Sequence, residues 1–122
     1  MERIALDLDL TKGWWLAFTI TYLFEFVTYL ALDRWQGWDR PVKRLGLTCL
    51  LVNLCTHPFV FICLPLCIHT PYLEYVLVAE AVAVLGESYI LKRLGYTQHW
   101  QIAVLANGMS WLVGGQFYLL LV

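Results

Sequence analysis

Three glutamates sit inside long apolar runs, where a carboxyl group has chemistry to do or a cost to offset. Glu25 lies in residues 13–32, and Glu80 and Glu87 lie in residues 72–91, YLEYVLVAEAVAVLGESYIL. Glu80 and Glu87 are seven residues apart, so a helix puts them on nearly one face, two turns from each other. At the centre of a bilayer a charged side chain costs roughly 3 kcal/mol on insertion scales, and by default it marks a functional site. Asn53 and His57 in residues 45–68, and Asn107 and Ser110 in residues 100–122, are the polar partners within reach. His57 is the basic side chain nearest the middle of these runs, so three carboxyls in so small a bundle cannot all be charged without partners. Some must be protonated, share a proton or bind a cation. The chemistry this set points to is proton or small-cation binding.

The elements that must position these residues follow from length and hydropathy. The chain has 122 residues, 61% hydrophobic and 14% charged, with a mean hydropathy of +0.67. Soluble domains are roughly 45–50% apolar. Residues 13–32, 45–68, 72–92 and 100–122 are each long enough to cross a hydrocarbon core of about 30 Å. One all-α domain of four transmembrane helices is predicted. Trp14, Trp15, Trp35 and Trp38 flank the first span as an interfacial belt. Thr21, Glu25 and Thr28 form a polar stripe along it. Pro58 and Pro65 predict a kink or break in the second span, with freed carbonyls near Asn53 and Leu54. Residues 69–71 read as a tight turn, and Gly95 as a helix stop. Residues 1–12 read as an interfacial segment or a frayed tail. Spans 1–2 and 3–4 suggest a two-helix repeat, but no aligned motif supports it.

Measured along each span from the basic-loop end, Glu87 lies about 8 Å deep, Glu25 and Asn107 about 10 Å, and Asn53 about 12 Å. Ser110 lies about 15 Å deep, and His57 and Glu80 about 18 Å. All four spans thus contribute to one polar layer.

Each residue has a plainer reading. Glu25, Glu80 and Glu87 could be protonated carboxyls that only tie helices together, and this stands even with the ion-site reading. Glu74 reads as solvated near the outer interface. His57, Glu80 and Glu25 are the set a metal would use, but neither Glu-x-x-His nor His-Glu-x-x-His occurs. Cys49, Cys55, Cys63 and Cys67 all fall in span 2 without a Cys-x-x-Cys, and read as apolar packing residues. Trp111 falls near the midplane, in the bundle or on a pocket wall. Ala79 with Ala83, Ala106 with Ser110 and Gly114, and Gly108 with Gly115 are small pairs for close helix approach or a subunit seam. No nucleophile elbow or phosphate loop appears, so an enzyme is the weakest reading. With a net charge of −1 and no basic patch, no nucleic-acid partner is expected.

Six of the eight Lys and Arg lie in loops 33–44 and 93–99 and at Lys92, against Arg3 and Lys12 in the N-terminal tail, which predicts cytoplasmic loops and both termini outside. The start carries acids and lacks a small-residue cleavage site, so the first run is expected to stay as structure.

The run of motifs FEFVTYLAL around Glu25, NLCTHP over residues 53–58, VAEAVAVLGE around Glu80 and Glu87, and ANGMSWLVG over residues 106–114 resembles a loose group of small four-span prokaryotic membrane proteins. The resemblance covers most of the chain. It implies the four-span architecture and the polar layer, and no substrate; the expected location is a prokaryotic inner (plasma) membrane. His57 stands where the group's pattern leads one to expect a polar residue such as asparagine.

The expected function is proton- or cation-linked transport, or a small channel. Glu25, Glu80 and Glu87 are the ion sites, and Asn53, His57, Asn107 and Ser110 their partners. Because four short spans enclose little volume, a homo-oligomer in the bilayer is expected. The alternative is a non-transporting assembly subunit, and the third reading an intramembrane metalloenzyme. No cofactor is specified.

Overall fold

Two glycines divide the described chain into hairpins. The computed structural model describes residues 2–59, 72–114 and 120. Helix α1 spans Glu2–Gln36 and ends at Gly37, whose φ of 73° is one that side chains resist. The N–H of Gly37 reaches the Arg34 carbonyl, and that of Trp38 the Asp33 carbonyl, at 3.1 Å for the latter. This is the paired C-terminal cap in which a left-handed residue satisfies two orphan carbonyls. Helix α3, Tyr72–Arg93, ends the same way at Gly95 (φ 90°), with Gly95 N–H on Lys92 O and Tyr96 N–H on Leu91 O. The helix stop read at Gly95 is thus present. Helix α2, Val42–Pro58, starts after Pro41, and helix α4, His99–Met109, starts after Gln98. A π-helical turn, Ser110–Gly114, continues α4.

The regular secondary structure of the described residues is all helical, with no strand, and the four helices form a ring in which each packs on two neighbours. Gly114 permits one of these approaches, since a Cβ there would sit 3.3 Å from Phe24 Cδ2. Gly86 similarly faces Thr56 Cγ2 at 3.3 Å.

Large apolar side chains are exposed at the same levels where polar side chains are buried. Leu23, Val27, Leu54, Leu85, Val104 and Leu112 lie on the outer surface, each between 48% and 61% exposed. Glu25, Asn53, Glu87 and Asn107 lie inside, at 4% or less. The stretch Trp15–Gln36 is the one described helical segment long and apolar enough to cross a membrane. The described part of α2 is shorter, and α3 carries three glutamates.

Several expectations are corrected. Residues 2–12 continue α1 as helix instead of forming a separate tail, because neither proline nor a helix-ending turn interrupts them. Within the described residues α2 runs unbroken to Pro58, and Phe59 keeps helical angles with its N–H on Thr56 O. Leu54 faces outward and is not on the cavity wall, so a carbonyl freed there is not a cavity ligand. Of the cysteines, Cys49 is buried but Cys55 is exposed. Pro65, Cys63, Cys67, the turn at 69–71 and Gly115 lie outside the described residues.

Candidate functional site: a doubled carboxyl–amide layer

Asn53 sits on the inner face of α2 and turns its Nδ2 to Glu25 Oε2 on α1, at 2.7 Å. Asn107 on α4 does the same to Glu87 Oε2 on α3, at 2.5 Å. Each amide also donates to the carbonyl one turn back, Cys49 O for Asn53 and Ala103 O for Asn107. One turn on from each asparagine, a hydroxyl reaches the other hairpin. Thr56 Oγ1 lies 3.3 Å from Glu87 Oε1, and Ser110 Oγ lies 3.4 Å from Glu25 Oε1. The layer therefore has two equivalent halves, each of the form Glu, Asn, and Ser or Thr three residues after Asn. Glu and Asn are 28 residues apart in the first hairpin and 20 in the second. The difference of 28 − 20 = 8 is one helical turn on each leg.

The bonds are unequal in a way that matters. Those within a hairpin are 2.7 and 2.5 Å, and those between hairpins 3.3 and 3.4 Å. Each bridging hydroxyl is also closer to its own helix carbonyl, at 2.9 Å for Thr56 to Val52 O and 3.1 Å for Ser110 to Asn107 O. A hydroxyl has one proton and can also accept. It can donate to a charged carboxylate, or donate to the helix carbonyl and accept from a protonated carboxyl. Rotation of one O–H bond thus accommodates both forms of the acid.

On the side away from the two described loops, the layer forms the end of a cavity of about 230 Å³. Its walls include Thr21 of α1, His57 of α2, Glu80 and Ala83 of α3, and Trp111 and Gly114 of α4. On the loop side the interior is filled by Tyr29, Leu32, Leu45, Cys49, Val52, Leu91, Tyr96, Ile102, Ala103 and Ala106. The Tyr29 hydroxyl is buried there without a hydrogen-bond partner among the described residues.

The three glutamates and four partner residues expected at the site all line this one cavity: Glu25, Asn53, His57, Glu80, Glu87, Asn107 and Ser110. They do not all act alike. Glu80 lies on the wall but makes no hydrogen bond or ion pair with described residues, and the Phe18 ring meets His57 edge-on at 5.4 Å. Among the described residues no three of His, Cys, Asp and Glu come together as a metal-binding group, so the set His57, Glu80 and Glu25 is not assembled. Glu74 is exposed, as read.

Three features escaped sequence reasoning. Thr56 is a full member of the layer, and its spacing from Asn53, repeated in Asn107 and Ser110, was the available signal. Asp33, placed in a charged loop by the sequence, is fully buried and takes the Arg40 N–H at 3.0 Å and the Arg34 guanidinium. Ser88 Oγ lies 2.6 Å from His99 Nδ1, pinning the start of α4 to α3. The chain matches no protein-family model, no curated protein and no solved structure.

Proposed function

We propose that this chain is an integral membrane protein that binds a proton or small cation at the Glu25–Glu87 layer and couples that binding to transport. The bilayer reading rests on the apolar outer surface around a buried polar layer, because a soluble monomer rarely exposes apolar patches beyond a few hundred Å². The expected orientation, basic loops inside and termini outside, belongs to the same proposal. The observation that carries the function is the doubled layer at the blind end of a cavity. Transporters built from repeats commonly hold their site at the repeat interface and rock one repeat against the other. Here the short bonds hold each hairpin together, and the long ones join the two.

Rocking breaks the Thr56–Glu87 and Ser110–Glu25 contacts, and on the loop side the Thr48–Tyr96 hydroxyl pair (2.9 Å) and the Arg40–Gln98 bond (3.3 Å). The asparagine–glutamate bonds persist. A homo-oligomer would place two such units side by side, but the site itself is complete in one chain.

The test is pH-driven flux in liposomes. Wild type should carry protons or a monovalent cation, and Glu25→Gln and Glu87→Gln should each abolish the flux. Flux unaffected by both substitutions rejects the proposal. The satisfied pairing of Glu25 and Glu87 favours a second reading, an assembly subunit whose layer only locks helices. That reading predicts no wild-type flux, together with a lower melting temperature for both variants.

A further inference from the structure

Glu80 is the carboxyl that the layer leaves over. It is partly buried on the wall of the central cavity, and no described residue donates to it. It also borders a second space on the outer face of α3 and α4, together with Ala81, Val84, Leu85, Val104 and Gly108. Glu80, Asn107 and Trp111 are walls of both spaces. Gly108 has nothing within 4 Å of where a Cβ would stand, so the outer groove is open at its floor. The groove is apolar, about 440 Å³, and lies on the surface that faces acyl chains under the bilayer reading above. A carboxyl without a hydrogen-bond partner among the described residues, an indole beside it and an apolar groove running outward form a site with a definite complement.

We infer that the α3–α4 seam is a lateral entry, and that its ligand is an organic ammonium ion bearing an apolar chain. The cationic head rests against Glu80 and the face of Trp111, where a cation gains from the ring quadrupole as well as from the carboxylate. The chain lies in the groove over Gly108, between Leu85 and Val104. A metal ion or bare proton would need no groove, and a neutral lipid would leave Glu80 unmatched. This inference rests on the cation-binding reading of the same cavity and names its substrate class.

The experiment is calorimetric titration of the detergent-solubilised protein with tetramethylammonium, butyltrimethylammonium and hexyltrimethylammonium, against empty micelles. Wild-type affinity should rise with chain length. Glu80→Gln should lower affinity for all three at least tenfold. Gly108→Leu, and independently Val104→Trp, should remove the gain from chain length and leave tetramethylammonium binding in place. Equal chain-length gains in wild type and both groove variants, or unchanged binding in Glu80→Gln, overturn the inference. A change of oligomeric state in Gly108→Leu by light scattering also overturns it, by making the groove a subunit seat. Proton flux that depends on Glu25 and Glu87, with no ammonium binding, rejects the lateral site and keeps the proposed function. Absence of both flux and binding rejects the two together.

Discussion

The two halves of the bundle use the same four helices in opposite ways. Toward the described loops, the interior is filled by Leu45, Cys49, Val52, Leu91, Tyr96 and small residues of α4, all nearly inaccessible. Away from the loops it holds a cavity walled by carboxyls, amides and hydroxyls. The loop half is also clasped across the hairpins, with Arg40 lying over the Tyr96 ring at 4.4 Å. Under the proposed function this is a division of labour: one half would supply rigidity and closure, and the other a place for charge. The Glu–Asn layer is the boundary between them.

Substitutions that separate stability from activity break or sharpen this contrast. The largest stability effect belongs to the packed half. Leu45→Ala should cost about 2–3 kcal/mol by opening a void in a filled interior, lowering the melting temperature while the remaining folded protein binds cations as before. At the boundary, Asn107→Leu should cost about 1–2 kcal/mol, because it leaves Glu87 buried with one donor fewer. Asn53→Leu should cost nearly the same, and a difference above about 1 kcal/mol between the two would deny that the hairpins are equivalent. Thr56→Val removes a longer contact, and should cost roughly 0.6 kcal/mol, the average for an interhelical bond in a membrane. Tyr29→Phe should be neutral or slightly stabilising in thermal unfolding, since it deletes a buried hydroxyl that has no partner among the described residues. In the cavity half, Glu80→Gln should change the melting point least and ligand binding most, because it gives up no hydrogen bond or ion pair with described residues.

A shared level along the bundle was legible in the sequence, and pairing was not. A helix rises a fixed distance per residue, so Glu25, Asn53, Glu87, Asn107 and Ser110 could be placed at one level from span ends alone. Which donor meets which acceptor depends on how each helix is rotated and on its neighbours, and no spacing within one helix encodes that. Thr56 was easy to pass over because a threonine in a helix ordinarily bonds its own backbone, as Thr28 does to Phe24 O at 2.7 Å. The two-hairpin repeat was hidden by length. One extra turn on each leg of the first hairpin defeats any fixed-period comparison, although it keeps every side chain on the same face. Asp33 was misplaced because a carboxylate beside Arg34 looks like a solvated loop residue. Only the fold brings the Arg40 backbone against it.

The central claim is that the cavity is reached from one side and closed by the packed half on the other. The most direct measurement is thiol labelling in oriented vesicles, on a background with Cys49, Cys55, Cys63 and Cys67 replaced by serine or alanine. Ala83→Cys, on the cavity wall, should react with a small membrane-impermeant methanethiosulfonate added on the side opposite the basic loops, and Ala103→Cys, in the packed half, should react from neither side. With no ligand and no pH gradient to drive rocking, labelling of Ala83→Cys from the loop side, or labelling of Ala103→Cys from either side, would contradict the account.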